Sequence, residues 1–292
     1  MKRLILITLL LLPFAAPAAD GALSEDSPWF VQVNLAAMRG ASDDGALYGW
    51  LRREVIEDLE EEFGEGTIDE LDALAAFGAG PDRDGFSVMV EGRLDEELRE
   101  TVIRRLAAEP LSDVDAAYLA GANEELAERF DLEIEGGSLY LGFDEDSAVF
   151  VTTRRSLLDA FLAGDRFGPL AASDLLVVRA EPMLSGGVDT AALGEGHGHW
   201  DSQVMRNIRR AGFALTDAGG GYDVRVELIA VDGAQAQALL NIVQGLIGLQ
   251  TLSASEGDPE LSFLSSLKSE REGDRVSLSI NVSANEMLEL LD

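Results

Sequence analysis

The sequence predicts an α+β fold, arranged as two tandem, divergent β-α-β-β-α-β-type repeats with antiparallel sheets. Three observations point to it. Apolar residues switch along the chain between alternation, which suits strands, and spacings of three or four, which suit helices. Breaks rich in Gly, Pro and Asp separate these segments. The order of the segments also recurs past the middle of the 292 residues.

In the first half, Trp29 to Leu35 alternates well enough for a first strand. A helix is expected from Ala46 to Phe63, where Leu51, Val55, Leu59 and Phe63 recur every fourth position and acids fill the other faces. Ala73 to Gly78 and Phe86 to Gly92 read as strands, joined by the turn Pro81 to Gly85. Asp95 suits the N-cap of a helix that continues through Leu98, Val102 and Leu106, because its carboxylate can take up free backbone N–H groups. A short helix around Asp115 to Arg129 leads to a hairpin. Its arms are Ser138 to Phe143 and Ala148 to Thr152, with Asp144, Glu145 and Asp146 at the turn. Thr153 is placed to cap a helix carrying Leu157, Leu158, Phe161 and Leu162.

In the second half, Leu175 to Ala180 reads as a strand, Asp201 to Arg209 as a helix and Gly212 to Thr216 as a strand. The triplet Gly219 to Gly221 makes a turn before a strand from Tyr222 to Val231. Asp232, with Gln235 three residues on, has the spacing of a capping box and opens a long helix through Ala236, Leu239, Leu240, Val243 and Leu246. Ser265 to Arg271 is a polar stretch. Arg275 to Val282 alternates cleanly, and Ser283 with Glu286 forms another capping box before a final helix from Ala284 to Leu291.

Corresponding points recur at shrinking offsets, Phe30 with Leu176, Asp95 with Asp232 and Thr153 with Ser283. Deletions in the second copy of a duplicated module explain that drift, and the order of elements comes close to the split βαβ, ferredoxin-like arrangement. The expected organisation is a signal peptide at 1–18, a leader at 19–28, and repeats at 29–168 and 174–292, divided by the Gly- and Ala-containing stretch 164–173. The segments Val31 to Leu35, Val90 to Asp95 and Val276 to Leu291 together resemble a loosely defined group of exported bacterial proteins of unknown function. That resemblance implies a duplicated α+β architecture and no particular activity.

The first residues predict the compartment. Met1-Lys2-Arg3, an apolar run from Leu4 to Leu12 and the small residues Ala15 to Ala19 are the three parts of a secretory signal, with cleavage expected after Ala18. The run is too short to cross about 30 Å of hydrocarbon, which takes roughly 20 helical residues. A periplasmic or extracellular protein, soluble and without a membrane span after cleavage, is the expectation. No cysteine is present, so a packed core holds the fold without disulfides.

Charge bounds the partners. The chain has 54 acidic and 22 basic residues, net −32, and Lys268 is the only lysine beyond the signal. Such a surface repels phosphate backbones, which excludes a nucleic-acid partner, and it repels anionic headgroups. It attracts cations or a basic protein. The same acidity also suits a saline habitat, where screening shortens the reach of each charge.

Groups able to do chemistry are few. Both histidines, His197 and His199, lie in Glu195-Gly196-His197-Gly198-His199-Trp200-Asp201. In an extended loop, alternate positions share a face, so Glu195, His197, His199 and Asp201 would converge as metal ligands for zinc, copper or nickel. The other reading is a solvated loop in which Asp201 caps a helix. Calcium is the second cation considered, at Asp82-Arg83-Asp84 and Asp144-Glu145-Asp146, although neither has the remaining positions of an EF-hand loop. No catalytic residue and no obligatory cofactor is identified. Trp29 and Trp50 read as core residues. The sequence thus predicts an exported, acidic, non-catalytic protein acting through an unknown protein or cationic partner. A carboxylate-based hydrolase of cell-wall or extracellular polymer is the alternative, and metal binding through the histidine loop a third reading.

Overall fold

A computed structural model describes residues 27–42, 45–56, 70–78, 86–93, 100, 109–110, 116–119, 139–144, 147–167, 170–181, 207–253 and 266–291. The fold is a β-rich mixture of strands and helices in which the registered strand pairs are antiparallel. The chain divides into two compact units between Leu175 and Leu176. The signal and most of the leader, the turn 81–85, the helix expected from Asp95 apart from Glu100, which is helical, residues 120–129 and the loop 195–201 lie outside the described residues.

The first unit opens with β1 (Trp29–Asn34), α1 (Leu35–Arg39) and α2 (Ala46–Leu51), the last continued by a π turn over Arg52–Ile56. There follow β2 (Leu71–Gly78), β3 (Phe86–Gly92), β4 (Glu109–Pro110), β5 (Ala116–Leu119), β6 (Leu139–Asp144), β7 (Ala148–Thr152) and α3 (Arg155–Leu162). In space its strands run β1-β2-β3-β7-β6-β5-β4.

Several expectations change here. A split βαβ needs parallel crossovers, whereas β1 pairs antiparallel with β2 and β2 with β3. The link through α1 and α2 therefore returns the chain to the end it left, and the ferredoxin-like arrangement does not apply. Leu35 leaves the first strand to start α1, because the Asn34 side chain accepts the Ala37 N–H at 2.9 Å. Of the helix expected over 46–63, Ala46–Leu51 is α-helical and Arg52–Ile56 widens into the π turn, while 57–63 lies outside the described residues. Ala116 to Leu119, expected as helix, is strand, because pairing with Leu139 to Gly142 outweighs the weak local preference of Ala-Ala-Tyr-Leu. Thr153 does not cap α3. Arg154 is the cap residue, Thr152 Oγ1 accepts its N–H at 3.0 Å, and the Thr153 hydroxyl donates to the Phe86 carbonyl at 3.5 Å.

Register sorts the side chains of this sheet into rows, since residues opposite one another share a face. One face carries Gln32, Ala75, Met89, Phe150 and Gly142 in one row and Phe30, Phe77, Ser87, Thr152 and Tyr140 in the next. α3 packs on this face at Gly142. A Cβ there would lie 2.7 Å from Leu158 Cδ1 and 2.9 Å from Phe161 Cδ1, so only glycine lets the helix settle. Phe161 stacks on Phe150 at 5.1 Å and Phe167 meets Phe77 edge-on at 4.9 Å. Trp50 is buried, as expected, and Trp29 lies flat across Gly78.

The second unit contains β8 (Asp174–Ala180), which begins at the boundary, β9 (Ile208–Asp217), β10 (Tyr222–Ala230), α4 (Gly233–Ser253), β11 (Lys268–Glu272), β12 (Arg275–Val282) and α5 (Ala284–Leu291). Its spatial order is β8-β9-β10-β12-β11. Ile208 and Arg209, expected to end a helix, begin β9. Arg209 reaches across to the Ala230 carbonyl at 3.2 Å and to Asp274 at 2.5 Å. The polar stretch before Arg271 contains the edge strand β11, which local sequence did not predict. The turn at Gly219 to Gly221 stands as expected, with positive φ at Gly219 and Gly220 and the Ala218 N–H bonded to the Gly221 carbonyl at 2.9 Å.

Both predicted caps form. Asp232 accepts the Gln235 N–H at 2.8 Å and starts α4. The Glu286 carboxylate takes the Ser283 N–H at 2.8 Å while the Ser283 hydroxyl takes the Glu286 N–H at 3.3 Å, the reciprocal pair of a capping box. Ala236 and Leu239 of α4 sink into a core of Ile208, Ala211, Ala230 and Val276. The opposite face of this sheet is polar. Asp223, Arg225 and Glu227 stand across from Asn281, Ser279 and Ser277, and Arg275 reaches Glu227 at 3.0 Å.

Candidate functional site

The side chains singled out as metal ligands, Glu195, His197, His199 and Asp201, lie outside the described residues, as do Asp82, Asp84, Glu145 and Asp146. Asp144 is the member of the acidic turns that is described. Among the described residues, no group of three or more histidines and carboxylates is arranged to hold a metal ion.

The polar cluster that does emerge sits at one end of the aromatic face of the first unit. Asn34, Ala73, Glu91, Ala148 and Asp144 form a row across β1, β2, β3, β7 and β6. The two alanines leave space, so the longer side chains can lean over them. Glu91 and Asp144 are two strand spacings apart, about 10 Å along the sheet. Arg166, just past the end of α3, donates to Asp144. It also donates to the carbonyls of Phe161 at 2.9 Å and Asp165 at 2.8 Å, and its guanidinium lies 4.3 Å from the centre of the Phe161 ring. Ser147 donates to Asp144 at 3.0 Å.

On the other side of Glu91, β2 bulges between Leu71 and Ala73 and turns Asp72 outward. Arg39 holds that bulge, donating to the Leu71 carbonyl at 2.7 Å and to Asp72 at 3.3 Å. Gly92 permits the close approach, since a Cβ there would lie 2.4 Å from the Glu70 carbonyl oxygen.

These surroundings drive the two carboxyls apart in proton affinity. Burial pushes Glu91 above its ordinary value, Arg166 acts in the opposite sense, and Asp72 adds to the rise. Asp144 is held below its ordinary value by the Arg166 hydrogen bond above all. Partial burial opposes that effect, and the Ser147 hydroxyl assists it. The result is one carboxyl biased to keep its proton and one biased to lose it, the division of labour that acid–base chemistry uses. It is equally an ion-pair bracket that fastens the segment after α3 to the sheet. A cation at Asp144 would have to displace Arg166.

Sequence reading missed Glu91 and Arg166. The signal for Glu91 is parity. In Phe86 to Gly92 the inward positions are Ser87, Met89 and Glu91, so an acid stands where the alternation calls for an apolar residue. Arg166 carries no such mark, because its role depends on where α3 ends.

No protein-family model and no curated protein matches the chain. Among solved structures, it is similar to TP0453 in three crystal forms. Crystal form III has a TM-score of 0.45 at 11% identity, covering 94% of this chain and 98% of that one. Form I gives 0.46 at 11%, with the same shares covered. Form IV gives 0.47 at 13%, covering 94% and 97%. No described helix is long and apolar enough to cross a membrane.

Proposed function

We propose that this is an exported, acidic, non-catalytic binding protein that works in the periplasm or outside the cell and takes a cationic partner. One observation carries the reading. Arg39, Arg155, Arg166, Arg209, Arg210 and Arg275 are each already engaged by a carboxylate of their own chain. The outward field is therefore that of the surplus acids, 54 against 22 basic residues. Titration with a lysine-rich peptide tests it. Binding at low ionic strength that weakens steeply with salt is the expected result, and no binding at any ionic strength overturns it. A rise in Tm with NaCl and no peptide binding would instead assign the acidity to a saline habitat.

A second reading rests on Glu91 and Asp144. Their split proton affinities suit a carboxylate-based hydrolase of cell-wall or extracellular polymer, in which one carboxyl serves as acid and the other as base or nucleophile. Polymer hydrolysis abolished by Glu91→Gln would support it; an inactive parent protein would rule it out. Metal binding through His197 and His199 is tested by micromolar ZnCl₂. A Tm rise beyond an ionic-strength control, lost in His197→Ala, would establish a site, and no rise would leave the loop solvated.

The tandem repeat belongs to the same reading. Supporting it, each unit runs through three successive strands, then sets its last strand beside the third and closes on an eight-residue helix, Arg155–Leu162 or Ala284–Leu291.

A further inference from the structure

Among the described residues β11 hydrogen-bonds to β12 alone and ends its sheet, so its outer edge offers backbone donors and acceptors to a further strand. Charges usually guard such an edge. Here their order is self-complementary. Laid antiparallel on a second copy about Glu270, Lys268-Ser269-Glu270-Arg271-Glu272 sets Lys268 opposite the second copy's Glu272, twice by symmetry. Lys268 and Glu272 are both exposed and share the polar face of the sheet with Arg225 and Arg275.

α4 lies along the same edge. Gln244 donates to Ser269 of β11 at 3.2 Å, which places that side of the helix next to the open strand. Gln237, Asn241 and Gly248 fall on the same side by helical spacing and are exposed. From Gly233 to Ser253 the helix carries no charge, in a chain whose composition is 26% charged. A Cβ at Gly245 or Gly248 would touch nothing within 4 Å, so packing inside the chain does not require glycine at either position.

We propose that β11 and α4 form the interface on which two copies of this chain pair. A two-fold axis through Glu270, normal to the sheet, joins the two β11 strands and keeps both α4 helices on one face. Their uncharged sides then turn toward each other, where two chains of net charge −32 can approach without meeting further acids. The strip is about 30 Å long and roughly 20 Å wide, so each copy buries on the order of 600 Å², the lower end of stable interfaces. The pairing holds for a binding protein and a hydrolase alike.

Sedimentation equilibrium of the exported chain tests it, from micromolar to millimolar protein, at about 0.1 M and about 1 M NaCl. The Debye length falls between these from ~10 to ~3 Å. A monomer–dimer equilibrium that tightens in high salt is expected, because repulsion between the whole chains outweighs two exposed pairs. At the lower salt Lys268→Glu weakens it about tenfold or more, and Lys268→Glu with Glu272→Lys restores it. Glu270→Gln tightens it by removing like charges on the axis. Gly248→Glu splits the dimer without lowering the Tm at protein concentrations where the parent is monomeric, since that site is open and glycine is a poor helix former. A monomer under all these conditions overturns the proposal, as does a dimer indifferent to these substitutions.

Discussion

Glu91 and Asp144 stand on one face of one sheet with Ala148 between them, and the guanidinium bonded to Asp144 also acts on Glu91. Their proton affinities move in opposite directions. The first unit is therefore stabilised in opposite ways by the two groups as pH changes.

Glu91→Gln should raise stability at neutral pH. The Glu91 pKa is higher in the folded chain than its ordinary 4.5, so its contribution is full below 4.5 and is lost as pH rises through the folded value. Thermal melts of parent and variant across pH should diverge at neutrality and converge in acid. Equal Tm values throughout would mean that Glu91 is solvated.

Asp144→Asn should act in the other sense. The folded Asp144 sits below its ordinary 3.8, so its stabilisation is present above 3.8 and disappears as pH falls through the folded value. With both partners partly exposed, solvent screening limits the effect to about 0.2–1 kcal/mol. A Tm lowered by about 1–3 °C at pH 7, with the gap closing in strong acid, is the expected melt.

Gly142→Val should destabilise the first unit by about 1–3 kcal/mol through overpacking. The added carbons would strike Leu158 and Phe161, both buried and unable to swing away. Urea unfolding reads the loss directly, and a change in unfolding free energy of less than a few tenths of a kcal/mol would mean that α3 is not seated on this face.

Ser283→Ala should cost about 1 kcal/mol by removing the N-cap of α5. Ser283→Asp, which keeps an acceptor at the same place, should recover most of it. Amide exchange in the first turn of α5 is the local readout, and unchanged protection in Ser283→Ala would count against the cap.

Much of the fold was legible because its determinants are local. The strand Phe86–Gly92, the strand Arg275–Val282 and the helix Ala284–Leu291 lie where alternation and a serine cap put them. Ala116 to Leu119 was not legible, because that strand owes its state to its partner β6. β11 was hidden for a related reason: an edge strand faces solvent on much of its surface and shows no apolar alternation. Of the polar cluster, Asp144 stood out as a turn acid, whereas Glu91 and Arg166 became partners only when β3 and the end of α3 were brought together.

By itself the sequence determined the acidity, the absence of disulfides, the mixed α/β class and the positions of most elements. These follow from composition and from periodicities read within a few turns of chain. Tertiary structure alone decided which strands are neighbours, β1 beside β2 and β3 beside β7, and that Arg166 stands with Glu91 and Asp144. Strand order and side-chain meetings are set by contacts between residues far apart in the chain, whose strength depends on burial and distance that no local spacing encodes.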